Sequence, residues 1–118
     1  RRMNNLVPIF DGLRHNTGLV KLQVSSLDDD DVPHLIRMLQ DNTTLEVLGL
    51  TFRSGQFPAV SPENMIALSD ALKESNLLEL SVRGDEEEEE ALADAIEAVN
   101  YRRYNVLHQG VTLLKLLL

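Results

Sequence analysis

The fold is decided by two stretches of sequence that repeat one pattern, LRHNTGLVKLQV at residues 13–24 and LQDNTTLEVLGL at residues 39–50. In each stretch a leucine closes a helical pattern, an asparagine stands three residues later, and a further leucine follows after three more. That leucine, Leu19 in the first copy, begins the spacing apolar, two variable residues, apolar, one variable residue, apolar. Its last two positions alternate with exposed ones, as in a short strand, and asparagine tolerates the left-handed conformation that ends many helices. The pattern therefore predicts a helix, a tight turn and a strand.

The same unit recurs along the chain. The strand spacing occurs four times, at Leu19-Leu22-Val24, Leu45-Leu48-Leu50, Leu77-Leu80-Val82 and Leu113-Leu116-Leu118. Before each copy, apolar residues follow the spacing of one helical face over 6–13, 32–39, 65–72 and 92–99, with one position missing in the third. We expect four helices and four parallel strands in alternation, with the last helix running from about residue 91 to about residue 107.

Helix starts are marked by capping residues. Asp28–Asp31 precede Pro33, and Ser61 precedes Pro62, so each offers a side-chain acceptor before a proline in the first turn. The acidic run Glu86–Glu90 leads into the last helix, where negative charge favours the helix dipole. Both acidic runs are therefore interpreted as solvated helix starts. Recruitment of a basic partner by the second run stays open as an alternative.

The chain resembles the leucine-rich repeat, in the helix-bearing form found in ribonuclease inhibitor and in intracellular NLR-type receptors. The resemblance implies an α/β solenoid of about four irregular repeats, with a parallel sheet on the concave side and helices on the convex side. It covers residues 1–118 as a single domain, which we expect to be a fragment of a longer solenoid. Two departures stand out: the units measure 26, 32 and 36 residues, and the family's asparagine position after the strand holds Leu27, Arg53 and Asp85.

Composition limits the classes of partner. The chain carries 19 acidic and 11 basic residues, a net charge of −8, whereas nucleic acids and anionic membrane surfaces are bound by basic faces. Cysteine is absent, and no run approaches the ~18 apolar residues of a membrane span. We therefore expect no nucleic acid and no membrane as partner, and an intracellular, cytoplasmic location, where disulfides are rare.

No set of residues has the spacing of a catalytic or metal site. Asp28–Asp31 lack the alternating ligands, central glycine and distal glutamate of a calcium loop. His15, His34 and His108 stand far apart, and none has a histidine partner at i+4. We therefore predict that the chain is not an enzyme and that it holds no cofactor and no metal.

The remaining candidate is a surface. If the apolar strand positions face inward, the residues between them face outward on the concave side and stack in columns. The predicted partner-binding residues are Lys21, Gln23, Ser25, Val47, Gly49, Thr51, Glu79, Ser81, Arg83 and Lys115. A second candidate is the segment 51–61, whose Phe52, Phe57 and Val60 either form an exposed docking element or fold back over the helix layer.

These features predict a protein–protein interaction module, either a ligand-sensing region or a scaffold, within a larger intracellular protein. Two alternatives stay open: a regulatory repeat domain of an enzyme or of a GTPase-activating protein, and a purely structural spacer. The last predicted strand, residues 113–118, is apolar and has no capping unit after it. We therefore also expect self-association through this C-terminal edge, unless a partner or further repeats cover it.

Overall fold

The computed structural model describes residues 6–53 and 59–103, which form an α/β unit. The elements in chain order are α1 (Val7–Leu13), β1 (Lys21–Leu27), a 3₁₀ turn (Asp29–Asp31), α2 (Val32–Asp41), β2 (Val47–Phe52), α3 (Pro62–Glu74), β3 (Glu79–Arg83), α4 (Glu86–Ala91) and α5 (residues 93–103). The predicted alternation of helices and strands is confirmed up to β3. The fourth strand, predicted at 113–118, lies outside the described residues, as does Lys115.

The three strands form one parallel sheet in the order β1-β2-β3. Lys21 pairs in register with Val47, and Val47 pairs with Glu79. Parallel neighbours cannot be joined by a hairpin, so each connection crosses back through a helix, α2 or α3. The prediction of parallel strands is therefore confirmed for β1, β2 and β3.

The core lies between the sheet and one layer of helices. α1 packs on α2, and α2 packs on α3. The strand positions predicted to face inward meet the predicted apolar helix faces there, and the residues with less than 5% of their surface exposed include Val24, Leu48, Leu50, Leu80, Leu35, Leu39, Leu68 and Leu72. Successive side chains of a strand point to opposite faces. The residues between these inward positions therefore face away from the helices.

The turn after α2 corrects one prediction. Asn42 is extended, with φ −84° and ψ 123°, and Ser26, with φ 57°, is the one non-glycine residue of positive φ in the described part of the chain. Asn42 therefore does not end the helix by adopting the left-handed conformation. It is buried, and its Oδ1 accepts hydrogen bonds of 2.9 Å from the backbone N–H groups of Thr44 and Leu45.

The same asparagine connects two successive helix–strand segments. Nδ2 of Asn42 donates to the backbone carbonyls of Leu13, at 2.7 Å, and Asn16, at 3.0 Å. Asn16 binds its own turn as Asn42 does, accepting hydrogen bonds of 2.8 Å from the N–H groups of Gly18 and Leu19. A side-chain amide thus binds the backbone N–H groups of each turn, at the position where a residue in the left-handed conformation was expected. It also joins the turn after α2 to the turn after α1.

The last helical region departs from the single helix expected from about residue 91. Asp85 and Glu88 form a capping box, in which each side chain accepts the backbone N–H of the other, and this starts α4 at residue 86. Leu92 leaves the helical conformation, with φ −102° and ψ 5°, and α5 follows. The apolar face predicted for this region is confirmed, because Leu92, Ala95 and Val99 are buried.

α5 closes the outer edge of β3 at one residue. The N–H of Glu79 donates to the carbonyl of Glu46 beside β2, so alternation points the N–H and carbonyl of Leu80 away from β2. Oδ1 of Asn100 accepts from the N–H of Leu80 at 3.2 Å, and its Nδ2 donates to the carbonyl of Leu80 at 3.3 Å. The backbone groups through which another strand would pair at Leu80 are therefore already bonded.

The helices are short. α3, with 13 residues, is the longest helix in the described part of the chain, whereas a membrane-spanning helix needs about 20 apolar residues. Within 6–53 and 59–103, no helix is long and apolar enough to cross a bilayer.

Candidate functional site

The face of the sheet that is turned away from the helices collects the residues predicted to bind a partner. Eight of them stand in register on the three strands, and we call this set the outer sheet face: Lys21, Gln23, Val47, Gly49, Thr51, Glu79, Ser81 and Arg83. All of them except Gly49 are exposed or half-buried. Parallel sheets are normally covered on both faces. A face that the described elements leave open is therefore a candidate binding surface.

Ser25 was predicted for this face but leaves the columns because of a bulge in β1. The register between β1 and β2 shifts between Val24 and Leu27, and Ser26 takes up the extra residue with φ 57°. A bulge of this kind leaves the added residue without a partner in the ladder. Ser25 is exposed, but it stands opposite no residue of β2.

The middle of the outer sheet face is shaped by a glycine. Gln23, Gly49 and Ser81 form one row across the three strands. The side chain of Gln23 lies across Gly49, and a Cβ at Gly49 would collide with its carboxamide. Gly49 is therefore buried although it faces outward. The missing side chain lets the amide of Gln23 lie flat on the sheet.

Beside this amide the surface has a depression of about 310 Å³. It is lined by Gln23, Leu50, Thr51, Ser81 and Arg83. Four of these five residues were predicted to bind a partner, and the structure brings them together. Arginine carries five N–H donors, and hydroxyl and amide groups add others. The depression can therefore bind a carbonyl or carboxylate oxygen of a partner.

Basic charge gathers on this face, although the chain has a net charge of −8. Lys21 and Arg83 are exposed members of the face. Glu79 is its one acidic member, and Arg103 of α5 forms an ion pair with the Glu79 carboxylate. The local charge of the face with Arg103 is therefore positive. A partner that presents acidic or carbonyl groups fits this charge.

The contribution of α5 was not predicted from the sequence. Arg102 reaches back to the end of α3 and donates to the carbonyls of Ser75, Leu72 and Lys73. One sequence feature could have indicated these contacts: Arg102 and Arg103 are the only Lys or Arg residues between residues 84 and 114. Only the apolar positions of this helix were used for prediction, so its polar contacts with β3 stayed hidden.

The first acidic run starts a helix, as predicted, but it is not solvated throughout, because Asp28 and Asp31 are buried. The run also joins two successive helix–strand segments. Asp28 and Asp31 form a capping box. Oδ1 of Asp29 accepts hydrogen bonds of 2.8 Å from the backbone N–H of Ser61 and from the amide of Asn64. These two donors, the N–H of Ser61 above all, lower the pKa of the Asp29 carboxyl. In the described residues, no group of three or more His, Asp or Glu side chains is placed to hold a metal ion.

The segment 51–61 was the second candidate surface, and both of its described ends fold inward. Phe52 is 4% exposed, and Ala59 and Val60 are each 2% exposed. These side chains belong to the core between sheet and helices. An exposed docking element is therefore wrong for Phe52 and Val60, which are buried in this core, and Phe52 is the last residue of β2 and not part of a loop. Phe57 lies outside the described residues.

Comparison of the sequence with known protein families and with curated proteins finds no match. Among solved structures, the chain is similar to a tropomodulin C-terminal domain from Caenorhabditis elegans, with 13% sequence identity and a TM-score of 0.35. The alignment covers 91% of this chain and 99% of the other. A likeness this distant carries no argument about function, which has to be drawn from the chain's own geometry.

Proposed function

We propose that this chain is a leucine-rich-repeat solenoid unit, without catalytic activity, which binds a protein partner through the outer sheet face. The observation that carries the proposal is an open, polar and locally basic face on a parallel sheet, with a depression lined by Gln23, Ser81 and Arg83 among others. Solenoids bind along continuous surfaces to which neighbouring repeats contribute one strand each. The role would be that of a ligand-sensing region or a scaffold.

The side chains of this face favour a polar partner surface. An obligate interface would be expected to carry a large apolar patch. Here the apolar strand residues face the core, while the outward positions are mostly charged, hydroxyl or amide groups. Since Arg83 borders the depression, a carboxylate of the partner would form a charge-assisted hydrogen bond there. We further propose an intracellular, cytoplasmic location, because the sequence contains no cysteine.

The test is capture of binding proteins with matched variants of the full chain. Arg83→Glu reverses the charge at the depression, and Gly49→Val displaces the Gln23 carboxamide that lies over Gly49. The control is Arg37→Glu, the same charge reversal at an exposed position of α2. Circular dichroism first checks that all three variants fold. Each captured protein is then purified, and its Kd for every variant is measured.

The proposal expects at least one partner whose Kd rises about tenfold or more with both outer-face variants and less than about twofold with the control. Loss of binding with Arg37→Glu to the same degree would mean that net charge alone decides binding. Equal Kd values for all variants would place the partner elsewhere. Either of these results would refute the assignment of the outer sheet face.

A further inference from the structure

A second open surface lies on the helix side of the unit, between α3 and α4. It is a groove of about 490 Å³. Val60 and Met65 are buried in its floor, and Pro62, Ile66 and Ala91 form its apolar sides. Ile66 is 65% exposed, more than any other large apolar side chain in the described part of the chain. Its side chain therefore adds exposed apolar surface beside the buried Val60 and Met65.

The shape of the groove follows from the short α4. α4 has six residues and ends at Leu92, where the chain leaves the helical conformation. From α4, the small side chain of Ala91 and the acidic side chains of Glu87 and Glu88 line the groove, so this helix contributes no large apolar side chain to it. α2 and α3, which run side by side for longer, bury Leu35, Met38 and Leu68. The groove is thus a place where two neighbouring helices fail to fill the space between them.

The rim of the groove is acidic. Asp70 of α3 and Glu87 of α4 are exposed on its two sides. Glu88, also at the rim, is held in the capping box of α4, and Lys73 is the one basic residue of the lining. The other glutamates of Glu86–Glu90 extend the negative charge beyond the groove. The charge is opposite to that of the outer sheet face.

We propose that this groove binds a basic amphipathic segment of a partner protein. An apolar side chain of the segment lies against Ile66 and Met65, and its lysine or arginine side chains pair with Asp70 and Glu87. Burial of apolar surface supplies most of the binding free energy, and the carboxylates select the sign of the partner's charge. Helices laid into apolar grooves are a recurring mode of peptide recognition. The acidic rim repels anionic lipid headgroups and nucleic-acid phosphates, so the occupant is a protein segment.

This site is separate from the outer sheet face, because the two share no residue. The probe is a fluorescent synthetic peptide of leucine and lysine with about four helical turns and its leucines on one face. Two matched peptides replace all lysines by glutamate, or all leucines by serine. Fluorescence anisotropy of the whole chain with each peptide, at physiological salt, gives the Kd.

The variants are chosen in pairs. Ile66→Ser and Glu87→Lys change the groove, while Ile9→Ser and Glu90→Lys make the same changes at an exposed isoleucine of α1 and at an α4 glutamate outside the groove lining. We expect saturable binding of the leucine–lysine peptide, weakened about fivefold or more by each groove variant and less than about twofold by each control. The glutamate and serine peptides should bind at least about tenfold more weakly.

Three results would overturn the proposal. The first is an absence of saturable binding to the unchanged chain. The second is equal weakening by Glu87→Lys and Glu90→Lys, which would mean attraction by diffuse charge. The third is equal weakening by Ile66→Ser and Ile9→Ser, or undiminished binding of the serine peptide, which would mean that the apolar side of the groove is not used.

Discussion

Replacing Asn42 by alanine tests the central structural idea, that one side-chain amide holds two units together. In the native chain this amide makes four hydrogen bonds with the backbone, two through Oδ1 within its own turn and two through Nδ2 to the preceding turn. Asn42 is 5% exposed. Alanine removes all four bonds and opens a space in which water replaces few of them.

The expected loss can be worked out bond by bond. A hydrogen bond contributes about 0.5–1.5 kcal/mol net, and a buried group left without a partner costs about 1–3 kcal/mol. The N–H of Leu45 is buried, whereas Asn16 is an exposed residue whose carbonyl also accepts from the Thr44 hydroxyl at 3.2 Å. We therefore expect Asn42→Ala to lower the free energy of unfolding by about 3 kcal/mol. For a unit of this size, that is a large part of the total stability.

The assay is urea unfolding of the full chain, followed by circular dichroism, with Asn16→Ala as the control. Asn16 is exposed, and its side chain makes only the two bonds within its own turn in the described part of the chain. Its replacement should cost about 1 kcal/mol. If the two variants differ by less than about 0.5 kcal/mol, the bonds from Asn42 to the preceding turn contribute nothing, and the reasoning is refuted.

A second variant separates the two halves of the amide. Asn42→Asp keeps the acceptor that Thr44 and Leu45 use, but replaces the donor by a second carboxylate oxygen. That oxygen would face the carbonyls of Leu13 and Asn16. We expect this variant to be at least as unstable as Asn42→Ala at pH 7, and to recover part of the difference below about pH 4, where the carboxyl is protonated and can donate.

Three further predictions concern the carboxyl of Asp29, the edge of β3 and divalent metal ions. The pKa of Asp29 is lowered by the N–H of Ser61 and the amide of Asn64. The stabilisation by its carboxylate is therefore present above about pH 4 and is lost as the pH falls through the lower pKa of the folded state. In urea unfolding, Asp29→Asn should lower the free energy of unfolding by about 1 kcal/mol at pH 7, and this difference should shrink towards pH 3. Asn100→Ala leaves the backbone N–H and carbonyl of Leu80 free to pair at the edge of β3. In sedimentation at micromolar concentration, this variant should self-associate through that edge more than the unchanged chain, in which Asn100 binds both groups. Excess Ca²⁺ or Mg²⁺, compared with chelator, should leave the Tm unchanged apart from ionic screening.

Apolar spacing was sufficient to predict the three described strands and, outside the bulge in β1, the faces they present. The spacing of Leu45, Leu48 and Leu50 placed the buried side of β2 correctly, and the same alternation assigned Gln23 and Ser81 to the opposite side. A strand has only two faces and a period of two, so a few large apolar side chains fix which residues face the core. The outer sheet face was predictable for this reason.

Features that depend on polar side chains could not be predicted from spacing. Asn42 was expected to act through backbone conformation, but it acts through hydrogen bonds to residues of another turn. The bulge in β1 places Ser26 at a φ of 57°, and no glycine stands there to indicate it in the sequence. Asn100 pairs with Leu80 across 20 residues of sequence. Each of these depends on atoms brought close by the fold, and short-range patterns contain no information about such pairs.

The two proposed surfaces lie on opposite sides of the unit and meet at the turn after β3. Arg83, at the end of β3, belongs to the outer sheet face, and Glu88, in α4, belongs to the rim of the groove. A Cβ at Gly84, between them, would lie 2.5 Å from Oε1 of Glu88 and 3.0 Å from the ring of Phe52, so a larger residue there would displace the Glu88 carboxylate. The capping box of Asp85 and Glu88 fixes the other side of the turn. If both surfaces bind as proposed, the two partners would meet the chain on either side of this capped turn.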